Sequence, residues 1–176
     1  MAGDKSSTLD LKVMGDIAPR VGFFARSRLT MDYQGNSSNF TIGQVSYTLV
    51  DSLDATLGAQ AGTGVDVTPR AGFQYATNVK DVKVAAAVTG ILSEKTQGEL
   101  LGRVTYLPQI SDGVKAYLQV ESISTFAKEG HVASVQRCRA GVDVDGLQLG
   151  AAADLKESGN QGKFTYNVGG FIGKTF

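Results

Sequence analysis

The sequence predicts an all-β protein, a closed antiparallel up-and-down transmembrane β-barrel of 10 to 12 strands, with twelve the favoured number. Three observations predict it. Strand after strand is written in period two, with an apolar side and a side carrying single charges. Clusters of Gly, Asn, Asp and Ser interrupt the chain every 10 to 18 residues or so. No stretch carries a competing helical period.

The clearest strand is Val21–Asp32, where Val21, Phe23, Ala25, Leu29 and Met31 share one parity and Arg26, Arg28, Thr30 and Asp32 the other. The same grammar runs through Leu9-Asp10-Leu11-Lys12-Val13, through Val82-Lys83-Val84 and through Val114-Lys115-Ala116-Tyr117-Leu118-Gln119-Val120-Glu121. It returns where Ser134, Gln136, Cys138, Ala140 and Val142 alternate with Arg137, Arg139 and Asp143. Two further faces, Ala55, Leu57, Ala59, Ala61 and Leu147, Leu149, Ala151, Ala153, are small and aliphatic throughout.

Turns are expected at Tyr33-Gln34-Gly35-Asn36, at 50–54, at Thr63-Gly64, at 78–81, at 94–98 and at 109–113. Three more follow at 127–130, 143–146 and 157–162. Connections this short make neighbouring strands antiparallel, and a long twisted meander closes on itself to remove its edges.

Composition fits one domain spanning residues 1–176, 42% of it hydrophobic, with 22 Gly and only 3 Pro. No run of about 18 apolar residues could form a membrane helix, but a barrel strand needs only about 9 to 11 alternating residues. The polar start Met-Ala-Gly-Asp-Lys-Ser has no signal-peptide core, so the expectation is a mature N-terminus or an uncleaved route. Cys138 is the single cysteine, which excludes an internal disulfide and a cysteine metal cluster, and its parity places it on the apolar face.

Lys and Arg number 17 and Asp and Glu 17, so overall charge points to no nucleic-acid partner. Sorting matters more. The ionic parity holds Lys12, Arg26, Arg28, Arg70, Lys83, Arg103, Lys115, Arg137 and Arg139 against Asp10, Asp32, Glu99, Glu121, Asp143 and Asp154, an excess of about three cations. If that parity faces inward the protein is a pore; if the apolar parity does, it is a soluble cup for a hydrophobic ligand. Phe23, Phe40, Tyr47, Phe73, Tyr75, Tyr106, Phe164 and Tyr166 are placed for aromatic girdles, and the chain ends on Phe176.

Catalysis finds no support. His131 is the only histidine, it sits beside a turn, and neither a nucleophile with a base nor metal-ligand spacing accompanies it. No cofactor is expected. The glycines of Thr63-Gly64-Val65-Asp66 and Gly169-Gly170 lack the lysine and helix of a phosphate loop.

Ser7-Thr8-Leu9-Asp10-Leu11-Lys12-Val13, Gly22-Phe23-Phe24-Ala25-Arg26, Asp54-Ala55-Thr56-Leu57-Gly58-Ala59 and Arg70-Ala71-Gly72-Phe73-Gln74-Tyr75-Ala76-Thr77-Asn78 together resemble the small anion-channel family of the chloroplast outer envelope. The likeness covers residues 5–92 and is positional beyond them. It implies a plastid outer-envelope pore for triose phosphates and inorganic phosphate, with ATP or another nucleotide able to block it. That family is strongly basic whereas this chain is neutral, so anion selectivity is expected to rest on the sorted charges. Arg26, Arg28, Arg70, Arg137 and Arg139 are the first candidates for phosphate contacts, because a guanidinium binds two oxygens at once, followed by Lys12, Lys83, Arg103 and Lys115. The alternatives are a weakly selective porin of a bacterial or mitochondrial outer membrane, and the soluble barrel.

Overall fold

The computed structural model describes every residue except Glu94, Asn160, Gln161 and Phe176. The expectations placed on Glu94, on Asn160-Gln161 and on the terminal Phe176 therefore lie outside the described residues. Thirteen strands occur in chain order: β1 Ala2–Gly3, β2 Ser6–Ala18, β3 Val21–Asp32, β4 Ser37–Val50, β5 Leu53–Gly62, β6 Val65–Val79, β7 Val82–Ile91, β8 Gln97–Tyr106, β9 Gln109–Ser111, β10 Val114–Ala127, β11 Gly130–Val144, β12 Leu147–Ser158 and β13 Lys163–Lys174.

All pairings are antiparallel within one sheet. The order runs from β11 through β12, β13, β1 and β2 round to β8 and β10, and β10 pairs with β11 to close the ring. β8 and β9 are two pieces of one strand: Pro108 has no N–H to give the ladder, so pairing with β10 lapses and resumes at Gln109. The barrel thus has twelve strands and one extra piece, with β1 as a two-residue twelfth strand.

At one end the hairpins are two-residue turns: Pro19-Arg20, Asp51-Ser52, Lys80-Asp81, Asp112-Gly113 and Asp145-Gly146. Asp145 and Gly146 take φ of 49° and 81°, the pair of positive values that matches the twist of the strands they join. Pro19-Arg20 lacks the usual turn residues at its positive-φ position, where Arg20 sits at 65°, and this is why the sequence does not announce it. At the opposite end the connections at 33–36, 92–96 and 159–162 are longer.

Register fixes which parity faces where. Directly opposed residues share a face, and the chain Asp10↔Arg28↔Phe40, Lys12↔Arg26↔Ile42↔Gln60 and Arg103↔Glu121↔Arg137↔Asp154 puts the ionic parity inside. Leu9, Leu57, Val120, Leu149 and their neighbours face outward. Outside the first and last two residues of each strand, the outer parity carries no Asp, Glu, Lys or Arg.

Burial is consequently inverted. Among the described residues seven buried side chains are polar or charged (Arg26, Thr56, Thr68, Arg70, Thr89, Thr105, Glu121) against four apolar ones (Ile42, Ile91, Tyr117, Ala152). Meanwhile Leu57, Phe164 and Ile172 stand 61%, 73% and 74% exposed. Of the expected girdle aromatics, Phe23, Tyr47, Phe73, Tyr75, Tyr106, Phe164 and Tyr166 do face outward. Phe40 is the exception, because its partner Arg28 belongs to the inner parity.

Candidate functional site

All nine candidate cations lie on the inner parity, but they do not form an open lining. Glu121, 2% exposed on β10, gathers four of them. Arg137 on the adjacent β11 donates to its Oε1 through Nη1. Arg26 donates to the same oxygen at 3.3 Å, and Lys12 Nζ and Arg103 Nη1 each lie 3.9 Å from Oε2.

The Arg26 contact is decisive for the shape of the lumen. β3 and β10 are separated by six strand steps in either direction around the ring, counting β8 and β9 as one strand. They are diametrically opposed. The Arg26–Glu121 pair therefore bridges the full diameter, with Asp10 holding Arg26 from the side by a bidentate contact at 2.9 and 2.5 Å.

A second centre adjoins it. Asp154 on β12 takes Arg28 at 2.8 Å and Arg139 at 2.7 Å, and Arg139 also donates to the carbonyls of Cys138 and Ala153. Across the two centres six cations (Lys12, Arg26, Arg28, Arg103, Arg137, Arg139) meet three carboxylates (Asp10, Glu121, Asp154), so three positive charges are uncompensated by ion pairing. Two buried donors here, Arg28 Nη1 and Arg137 Nε, have no hydrogen-bond partner. Both arginines border a lumen cavity of about 620 Å³ that opens toward the end with the longer connections and is also lined by Lys5 and Lys156 and by the carboxylates of Asp32 and Asp154.

Arg70 stands apart, paired with Glu99 at 2.8 Å and bonded to Gln60 and Thr89. Lys83 and Lys115 are exposed near the end with the two-residue turns, and among the described residues neither has a carboxylate within 4 Å. The structure therefore brings six of the nine together and leaves three outside the bridge.

Four inner charges escaped the sequence reading. Asp16, Asp54, Lys156 and Lys163 pair in register with Gly22, Thr48, Val135 and Ser158, all on the inner parity. Simple alternation from Lys12 and Asp154 would have found Asp16 and Lys156. Asp54 and Lys163 sit at strand starts, where turn and strand signals overlap. Among the described residues no group of three or more His, Cys, Asp or Glu side chains is placed to hold a metal ion.

Comparison of the chain with protein-family models and with curated proteins finds no match.

Proposed function

We propose that the chain is a membrane-embedded channel of the outer-membrane type, and that it passes small anions through an ion-paired constriction. The observation that carries this reading is the inverted burial: a charge-free outer belt surrounds a lumen whose central network holds three more cations than carboxylates. Water would not favour so much exposed Leu, Val, Ile and Phe, whereas a bilayer would. The soluble cup requires the apolar parity inside, and it faces out.

Buried cations in excess raise the local concentration of anions and repel cations. Phosphorylated metabolites and inorganic phosphate are the substrate class that unpartnered guanidinium donors suit best, since they offer several oxygens to a planar fork. The plastid outer envelope is the compartment that the segment resemblance favours, with a bacterial or mitochondrial outer membrane as the broader setting. The Arg26–Glu121 bridge makes this a restricted conduit that conducts when the bridge yields.

Planar lipid bilayers under a salt gradient test the reading. The wild-type protein should give a reversal potential of anion-selective sign, reduced in the Arg137→Ser/Arg139→Ser variant. Cation selectivity, or folding to a monodisperse protein without detergent or lipid, would refute it.

A further inference from the structure

His131 is the only histidine of the chain, and simple alternation from Arg137 would place it on the inner parity. The structure turns it outward. Pairing of β10 with β11 slips between Thr125 and Phe126, so that Thr125 meets Ala133 while Phe126 meets His131, and Val132 is the extra residue of a β-bulge. Phe126 shares the outer parity with Val120 and Ser124, and a bulge is a common means of re-aiming a side chain. The Phe126 ring braces the imidazole edge-on, with ring centroids 5.7 Å apart.

The consequence is a serine–histidine pair that sequence spacing does not announce. Ser134 Oγ lies 2.8 Å from His131 Nε2 and 2.8 Å from Ser124 Oγ on the neighbouring strand. Ser122 and Gln136, directly opposed in register, face outward beside them. The wall around this cluster is apolar, with Leu118 and Val120 on β10 and Ala153 and Leu155 on β12. Hydroxyl and imidazole groups turned toward hydrocarbon are costly, so a hydrogen-bonded cluster of them on a lipid-facing wall marks a functional place.

The height of the pair suits one substrate. Ser134 is the fifth of the 15 residues of β11, which starts at the end with the longer connections. It therefore lies about 13 Å along the strand from that end, and strand tilt brings this to about 10 Å below the rim. A headgroup layer is about 5–8 Å deep on each side of a bilayer, so the pair stands at the level of the glycerol esters with hydrocarbon just beneath.

We propose that this pair is the reactive centre of a lipid-ester hydrolase on the outer wall of the barrel, with Ser134 the nucleophile and His131 its general base. Ser134 Oγ adds to the carbonyl carbon of a phospholipid acyl ester as its proton passes to His131 Nε2. The bond from that carbon to the glycerol oxygen then breaks, and His131 returns the proton to the departing oxygen. Water entering from the rim next gives a proton to the same nitrogen and adds to the acyl carbon. The bond to Ser134 Oγ breaks, the proton restores its hydroxyl, and the fatty acid leaves. Ser124, already hydrogen-bonded to Ser134, is placed to turn its hydroxyl toward the carbonyl oxygen as that oxygen becomes negative, and Gln136 carries an amide on the same face. The activity goes beyond conduction, and only its choice of a lipid substrate rests on the membrane reading.

The full chain folded in dodecylmaltoside, treated with a fluorophosphonate probe and mapped by tandem mass spectrometry, tests the nucleophile. Ser134 should be modified, at a rate at least about tenfold lower in His131→Gln and unchanged in Ser122→Ala, which lies outside the pair. Mixed micelles of dioleoylphosphatidylcholine and Triton X-100 test the substrate. Oleate release should fall about a hundredfold or more in Ser134→Ala and in His131→Gln, with both variants keeping the folded band on cold gel electrophoresis. Folded protein that leaves Ser134 unmodified would overturn the proposal, as would equal modification in His131→Gln, oleate release that persists in Ser134→Ala, or modification with no oleate release. Anion conductance of the same preparation reports on the channel separately, because Ser134 and His131 face away from the lumen.

Discussion

Glu121→Gln removes the one carboxylate on which the cross-lumen bridge depends while keeping its volume. Four cations lie within 4 Å of that carboxylate: Arg137 and Arg26, the latter at 3.3 Å, and Lys12 and Arg103 at 3.9 Å. At an effective dielectric near 20 each such pair is worth about 4 kcal/mol before desolvation is counted. Arg26 and Arg137 are largely shielded, with side chains 8% and 13% exposed, whereas Lys12 and Arg103 at 27% and 32% are screened and contribute less. Removing one member of a buried pair leaves the others uncompensated, a net cost of about 3–5 kcal/mol. Urea unfolding in detergent should show that loss. The same change raises the positive excess at the constriction from three to four. One extra charge acting over about 8 Å of partly aqueous lumen is worth on the order of 1 kcal/mol, roughly a fivefold gain in local anion concentration. Single-channel recording should therefore show larger conductance, since Arg26 no longer spans the diameter, and a reversal potential shifted further toward that of a perfect anion channel. Asp154→Asn offers the parallel case in the neighbouring centre. Unchanged conductance and selectivity in both folded variants would refute the argument that this bridge sets the lumen's width and charge.

On the outer face, Leu57→Arg should impair insertion into phosphatidylcholine vesicles by about 2–4 kcal/mol, measured by the folded fraction against urea, if Leu57 sits at membrane mid-depth. Cys138 pairs with Ala153 on the outer parity in the middle of β11. In vesicles a charged maleimide should leave it unmodified while a membrane-permeant maleimide reacts, and equal labelling by both would show water on that face. Gly141→Val should hinder folding, because a Cβ at Gly141 would lie 2.0 Å from the Leu149 carbonyl oxygen, a backbone atom that cannot step aside. Loss of the folded band on cold gel electrophoresis would be the readout.

Much of the barrel is legible in the chain because alternation is local. Val21–Asp32 announces both faces of β3 by itself, and the nine candidate cations share the inner parity as their spacing says. What is not local is not legible. Nothing in the sequence places Arg26 opposite Glu121 rather than beside it, because that depends on strand count and on the stagger accumulated around the whole ring. A sequence count of cations over anions cannot tell a lining from a bridge. Phe40 shows the same limit on a smaller scale: an aromatic in a run of Ser, Asn and Thr has a parity only once its strand is set against Arg28. The two-residue β1 carries no pattern at all, being too short for alternation to appear.

The ionic bridge and the cation excess answer one physical demand. A ring of twelve strands encloses more space than short side chains can fill, and an unfilled lumen would be a wide aqueous hole. Aliphatic residues long enough to meet across the diameter do not exist. Arginine is long enough, and it arrives with a charge that must be matched. Asp10, Glu121 and Asp154 match half of that charge and fix the geometry of Arg26, Arg28, Arg137 and Arg139. The unmatched half is what gives the constriction its sign. If the excess were cut from three charges to one without disturbing the bridge, by Lys12→Gln and Arg103→Gln, the two longest contacts to Glu121, the barrel should keep its stability to within about 1 kcal/mol. Its anion preference should fall. Conductance recorded beside urea unfolding separates the two roles, and a variant that lost stability as sharply as Glu121→Gln would show that the excess cations serve packing rather than selectivity.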